Sequence, residues 1–246
     1  MCGHGIIAVT KIAIETGLIT TRKPETIVRI DTPAGRVTAS AILKDGRVSR
    51  VVFENVPSFV LAKDLTVTVE KFGSVKYDIA FGGAFYAFVR ADDLSLICTT
   101  DHISQLIEAG MAIKNAVIKN HPINHPFEKE LGYLYGTIFI APPHDKKNHS
   151  RNVCIFAEGE VDRSPTGTGV SARLALHFER QQIGLKQQIV IESILGTTFT
   201  CSVARTQKYG PYNAVIPLVE GTAYITGKHE FLLDPQDDLR HGFLLR

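Results

Sequence analysis

Cys2-Gly3-His4-Gly5-Ile6-Ile7-Ala8 opens the chain, and Thr166-Gly167-Thr168-Gly169-Val170-Ser171-Ala172 repeats its pattern far downstream. Each copy is a small reactive side chain, a Gly-x-Gly and an apolar run. That order predicts a tight loop delivering its first residue to the N-terminus of a helix, where free backbone N–H groups and the positive end of the dipole favour an anion. The copies differ in the reactive group, a thiol at Cys2 and a hydroxyl at Thr166.

The likeness continues past the motifs. Thr26 to Ile30, a turn at Pro33-Ala34-Gly35 and Arg36 to Ala39 follow the first copy; Gln188 to Glu192, a turn at Gly196 and Thr197 to Thr200 follow the second. Helix then hairpin, in the same order at nearly the same offset, indicates an internal duplication, with a site between the two repeats. Strand and helix patterns lie before Thr166, whereas one methionine precedes Cys2. The first unit is therefore expected to lack its opening half, leaving an unpaired sheet edge and an exposed core face.

The coarse pattern is a helix from Gly3 to Gly17 and strands near Ile27 to Asp31, Arg36 to Leu43, Val48 to Glu54 and Leu65 to Val69, with turns at Asp45-Gly46 and Phe72-Gly73. Val75 to Val89 reads as strand, Gly82-Gly83, strand. A helix capped by Asp101 runs to Lys119 with Ile103, Leu106, Ile107, Met111, Ile113 and Val117 as its apolar set. Tyr133 to Ala141 and Asn152 to Glu158 read as buried strands, followed by a helix from Gly167 to Gln181, further strands and a tail from Leu232 to Leu245. This is α+β with mixed sheets rather than a doubly wound parallel fold.

With 246 residues, 44% hydrophobic and 21% charged, the composition is that of a globular protein. A net charge of +2 with dispersed Lys and Arg gives no stripe for nucleic acid, and no apolar run reaches membrane-spanning length. The four cysteines have no C-x-x-C spacing, so neither a disulfide framework nor a zinc site is indicated, and a cytoplasmic location is expected.

A thiolate at one helix N-terminus, facing a second helix N-terminus, suits proton abstraction with an anion clamp. Cys2 is the candidate base. The N–H groups of Gly3-His4-Gly5 and Gly167-Thr168-Gly169 are the candidate cradle for a carboxylate and for the charge that develops at its α-carbon, and the scheme needs no cofactor and no metal. Cys98, Cys154 and Cys201 read as buried small hydrophobes. His121, His125 and His144 read as surface-loop residues, Gly82-Gly83 as a bulge or close backbone approach, and Asn148-His149-Ser150 as a sequon without secretory context.

Met1 to Gly5 and Asp162-Arg163-Ser164-Pro165-Thr166-Gly167-Thr168-Gly169 resemble the two signature loops of the proline racemase family, and Asp78 to Ala87 resembles its central strand motif. The tail Asp237 to Leu245 is similar to one subgroup. The resemblance implies two similar halves, each a curved mixed sheet around a central helix as in diaminopimelate epimerase, with residues 1–74 plus 222–246 forming an incomplete first half and 75–221 the second. Members that racemise or epimerise proline carry cysteine in both loops; Thr166 stands here as in the trans-3-hydroxy-L-proline dehydratases. A threonine hydroxyl has no accessible pKa near neutrality and is a poor acid, whereas elimination needs one base and a leaving group. The resemblance thus implies dehydration of trans-3-hydroxy-L-proline to Δ1-pyrroline-2-carboxylate, with Cys2 and Thr166 catalytic, Gly3, His4, Asp162, Gly167 and Thr168 binding substrate, and Asp162 the partner of the ring nitrogen. A small-molecule substrate, no nucleic acid, no membrane and a homodimer are the expected partner profile. Doubt over activity attaches to a truncated chain. The alternatives are a proline or 4-hydroxyproline racemase or epimerase, an N-terminal-nucleophile hydrolase, and an inactive truncated product acting only by binding.

Overall fold

A computed structural model describes residues 1–22 and 24–244. Helix α1 (Gly3–Glu15) buries Ile6, Ile7, Thr10 and Ile14, one helical stripe. It stops two residues before Gly17, whose φ of +78° lets the chain turn back so that the N–H groups of Gly17 and Ile19 reach the carbonyls of Ile14 and Ala13. Strands β1 (Glu25–Thr32), β2 (Gly35–Lys44) and β3 (Arg47–Glu54) form an antiparallel meander. Asp45 and Gly46 join the last two with φ of +53° and +79°, the positive-φ pair that a two-residue hairpin turn requires.

The middle of the chain supplies β4 (Phe59–Val69), β5 (Gly73–Phe81), β6 (Phe85–Arg90), α2 (Ile103–Asn120), β7 (Leu134–Ala141), β8 (Ser150–Phe156) and the short β9 (Glu160–Val161). The second repeat follows as α3 (Gly167–Glu179), β10 (Ile189–Glu192), β11 (Thr198–Tyr209) and β12 (Tyr212–Gly221). Among the described residues the strands join in the order β1-β2-β3-β12-β11-β10-β8-β7-β6-β5-β4, with β9 on β8. The architecture is α+β, with β6–β7 and β8–β10 as its parallel strand pairs among the described residues.

The repeats α1-β1-β2-β3 and α3-β10-β11-β12 meet at the antiparallel β3–β12 seam, where Val52 faces Glu220 and Phe53 faces Val219. At the far end a bridge between Ser58 and Val215 returns the start of β4 to β12, so the second set of strands wraps around α3. The two helices consequently differ in enclosure. Every α3 residue from Gly167 to Leu176 is buried, whereas on α1 Val9 and Ile12 are 54% and 42% exposed, and Ile27 of the edge strand β1 is 55% exposed. Among the described residues nothing pairs with the outer edge of β1.

Three local expectations are corrected. Asp101 does not cap α2: it lies inside a 3-10 turn, Thr100–His102, that leads into the helix without a side-chain cap. Strand β4 begins six residues before Leu65, because two register shifts and a left-handed Asp64 (φ +55°) interrupt the alternation of its first half. His125 is not a surface residue. It is 9% exposed, packs against Phe59, Phe81 and Tyr209, and accepts the Glu128 N–H on Nδ1 (2.9 Å); burial lowers its pKa. Residues 222–244 contain no helix or strand and expose Phe231 and Leu232, while Leu245 lies outside the described residues.

Candidate active site

The N-termini of α1 and α3 touch through glycine. A Cβ on Gly3 would sit 2.5 Å from the Gly167 Cα, and one on Gly167 would sit 2.7 Å from the Gly3 Cα, so neither position tolerates a side chain. The second glycine of each motif has a different task. A Cβ on Gly5 would lie 3.2 Å from Cys2 Sγ, and one on Gly169 would lie 3.2 Å from Thr166 Cγ2 and 2.3 Å from Ile138 Cδ1. Each leaves room for the reactive side chain of its own loop. The first helical hydrogen bonds are Ile6 N–H to Cys2 and Val170 N–H to Thr166, which leaves the amides of residues 3–5 and 167–169 facing forward from the helices.

Cys2 has extended backbone (φ −130°) and an exposed side chain. Thr166 is 5% exposed and has φ of +67°, a conformation that a β-branched residue adopts only when its surroundings impose it. The imposing contacts are from its own loop. The Thr166 N–H donates to Ser164 Oγ (3.1 Å), and its hydroxyl donates to Asp162 Oδ2 (3.0 Å). Asp162 Oδ1 accepts the Ser164 N–H (2.8 Å). The same pair reaches across to the first loop, where His4 Nδ1 is 3.1 Å from Ser164 Oγ and 3.4 Å from Asp162 Oδ2.

These contacts set the protonation states. Hydrogen bonding to Asp162, then to Cys2, raises the His4 pKa to about 10, so the ring is an imidazolium at neutral pH. Partial burial opposes ionisation of Cys2, but the His4 hydrogen bond and charge and the Gly5 N–H outweigh it, and the thiol pKa falls below its ordinary value. Burial likewise opposes the charge on Asp162, yet His4 and the Ser164 N–H hold that carboxyl below the ordinary range. The other three thiols are held protonated by burial: Cys98 is pushed to about 11, Cys201 to about 12, and Cys154, beside Thr166, is also raised.

Cys2, His4, Asp162 and Thr166 open on one cavity of about 130 Å³, well under the roughly 300 Å³ at which drug-sized pockets begin. Gly3, Gly167 and Thr168 also line it, whereas Gly5 and Gly169, the other two residues of the expected cradle, are not among the lining residues. Tyr86, Tyr135 and Phe156 form its aromatic side, with the buried Tyr86 hydroxyl 2.8 Å from Thr168 Oγ1. The sequence reading missed these three and Ser164. Ser164 had a usable signal, its place two residues after Asp162 and two before Thr166. Gly82 proves to be a close approach: a Cβ there would be 2.2 Å from the Thr168 carbonyl oxygen, and its own carbonyl accepts from Asn55 Nδ2 (2.9 Å). Asn148 donates to Glu192 (2.8 Å), a structural use of the sequon asparagine. Among the described residues no three His, Cys, Asp or Glu side chains are grouped as metal ligands, and no helix is long and apolar enough to cross a membrane.

The profile of the family described as "Proline racemase" matches residues 1–244. The chain belongs to the proline racemase family. It is 48% identical over 246 residues to a trans-3-hydroxy-L-proline dehydratase of Colwellia psychrerythraea, covering 100% of this chain and 69% of that protein. A 3-hydroxyproline 2-epimerase of Burkholderia multivorans is 40% identical over 245 residues, with 100% and 73% covered. Among solved structures, a hydroxyproline epimerase from Agrobacterium vitis with trans-4-OH-L-proline bound superposes with a TM-score of 0.92 at 33% identity, over 100% of this chain and 70% of that one.

Proposed function

We propose that this family member dehydrates trans-3-hydroxy-L-proline to Δ1-pyrroline-2-carboxylate without a cofactor, using Cys2 as the base. The observation that carries the reading is the unequal chemistry of the two loops. One presents a thiol whose ionisation an adjacent imidazolium favours, and the other a hydroxyl whose proton is already donated to Asp162. A site with one titratable group on the α-carbon suits elimination; inversion needs a second.

The substrate carboxylate would lie against the forward-facing amides of the two helix N-termini, where the α-carbanion's charge is also stabilised. Asp162 would receive the ring ammonium. Cys2 takes the α-proton, the electron pair forms the C2–C3 double bond, and the C3–O bond breaks. In the trans isomer the α-hydrogen and the hydroxyl share a ring face, so the new Cys2 thiol and the His4 imidazolium stand on the side from which the departing hydroxide takes a proton and leaves as water. The enamine then tautomerises to the cyclic imine. Thr166, on the other loop, holds the clamp and moves no proton.

Replacing Cys2 by Ser tests this. An alcohol is not a base at neutral pH, so product formation, followed by chromatography, should fall at least a hundredfold while circular dichroism and melting are retained. Turnover within a few-fold of the unmodified chain would remove Cys2 from the mechanism. An epimerase reading, suggested by two relatives, would instead require inversion at the α-carbon with Thr166 in place.

A further inference from the structure

The aromatic side of the Cys2 cavity holds a hydrogen bond that the proposed reaction does not use. Tyr86 of β6 is 1% exposed, and its hydroxyl lies 2.8 Å from Oγ1 of Thr168, the second residue of α3. Both side chains line the cavity. We infer that Tyr86 is a positioning residue: its phenol donates to Thr168 Oγ1 and so turns the Thr168 hydroxyl to donate to the substrate carboxylate, a role that rests on that carboxylate lying at the two helix N-termini as proposed above.

The direction of the hydrogen bond follows from donor strength and burial. A phenol is a stronger donor and a weaker acceptor than an aliphatic alcohol, because its oxygen lone pair is delocalised into the ring. Among the described residues Thr168 is the one partner of the Tyr86 hydroxyl. Were Thr168 the donor, the phenol proton would have no acceptor in a buried position, where polar groups are ordinarily paired. Burial also pushes the Tyr86 pKa well above its ordinary value, so the phenol keeps that proton throughout the working range.

Thr168 is then left with a proton to give. Further along a helix a hydroxyl can return its proton to the carbonyl four residues back, as Ser171 does to Gly167 (2.9 Å). At Thr168 that carbonyl belongs to Ser164, outside α3, and among the described residues Oγ1 has no partner besides Tyr86. The Thr168 methyl packs on the Gly82-Gly83 turn, where a Cβ on Gly83 would lie 3.2 Å from Cγ2. With the methyl held there, the hydroxyl stands on the Tyr86 side and its proton has the cavity as its open direction, in front of the α3 amides. A hydroxyl donating to a carboxylate makes a charge-assisted bond, stronger than one between neutral groups.

Calorimetric titration of the full chain with L-proline, which has the carboxylate but no 3-hydroxyl to lose, reads binding apart from dehydration. Tyr86→Phe should raise the L-proline Kd about tenfold, and should raise KM for trans-3-hydroxy-L-proline equally while kcat moves less than about threefold. Thr168→Val should give the same loss, Thr168→Ser should restore most of the affinity, and Tyr86→Phe added to Thr168→Val should cost nothing further. A tyrosine needed only for packing would lower the melting temperature and leave Kd in place. That result overturns the inference, as does a further loss in the double variant, or an unmodified chain without saturable L-proline binding. Should Tyr86→Phe fail to fold, the two Thr168 variants decide, and equal Kd values in Thr168→Val and the unmodified chain refute the hydroxyl's role. The expected L-proline pattern in a chain without dehydratase turnover would refute the proposed reaction and leave the carboxylate donor standing.

Discussion

Asp162→Asn removes one negative charge from the node that both loops share. In the native site Asp162 is the largest cause of the His4 pKa standing at about 10 instead of 6.5, a difference equivalent to about 5 kcal/mol between the charged and neutral ring. The His4 side chain is 41% exposed, so solvent screens much of that, and Cys2 shares the remainder. Roughly 2 kcal/mol falls to Asp162, which predicts that the alkaline limb of the kcat/KM profile drops from near pH 10 to about 8.5. A second loss is independent of pH. The carboxylate proposed for the substrate's ring ammonium becomes an amide, and losing a hydrogen bond between charged groups costs about 1.5–3 kcal/mol, about ten- to a hundredfold in kcat/KM at pH 7. Product chromatography across pH 6 to 11, with the His4 ring resonance titrated in parallel, separates the two effects. An alkaline limb still near 10 in the variant would refute the assignment of the His4 charge to Asp162.

In the native chain the working form is Cys2 thiolate with His4 imidazolium, so activity should rise through a thiol pKa below 9.0 and decline near pH 10, both limbs belonging to the coupled pair. The folded-state His4 pKa is raised, so its stabilising contribution is complete below pH 6.5 and disappears as pH climbs through about 10; Asp162, whose pKa is lowered, contributes above pH 3.8 and loses its effect on acidification, and urea melts at pH 3, 7 and 10.5 should show both declines. Gly3→Ala forces a Cβ against the Gly167 backbone and should cost about 3 kcal/mol in the same melts, whereas Gly5→Ala meets only the movable Cys2 side chain and should cost under about 1 kcal/mol. Val9→Lys on the open face of α1 should reduce hydrophobic-dye fluorescence while changing stability by no more than about 0.5 kcal/mol. Thr166→Cys places a buried, neutral thiol beside Asp162 and supplies the absent acid; deuterium exchange with inversion on proline, read by chiral chromatography in D2O, should appear in the variant, and efficient inversion by the unmodified chain would refute the one-base mechanism.

What could be read from the sequence was local. Gly-x-Gly followed by an apolar stripe located α1 and α3 within two residues, and Asp45-Gly46 located its hairpin, because these features are set by backbone conformations that few residues adopt. The β3–β12 seam could not be read: it pairs Val52 with Glu220, and neither strand carries a mark of its partner. His125 was misplaced for a related reason. A histidine between prolines resembles a loop residue, and only the convergence of Phe59, Phe81 and Tyr209 from three separate strands makes its position a core one. Within the site, Cys2 and Thr166 announced themselves by position, while Tyr86, Tyr135 and Phe156 come from three neighbouring strands whose pairing brings them to the same cavity and which carry no local mark of it.

The duplication explains why a one-base site can arise from two like halves. Both repeats deliver a side chain to a helix N-terminus, and the two glycines in contact bring those ends together, so the anion cradle is built by both. The groups that set charge are not shared equally. Asp162 and Ser164 precede α3, and from there they fix Thr166 by its own N–H and hydroxyl while reaching across to His4. The second loop thereby spends its polar groups on geometry and holds Thr166 in a conformation with positive φ. Cys2 instead has an extended, relaxed backbone, and its thiol ionises against the imidazolium that the other loop has charged. On the proposed mechanism one repeat is the platform and the other carries the base, a division of labour that suits elimination, with its single proton abstraction.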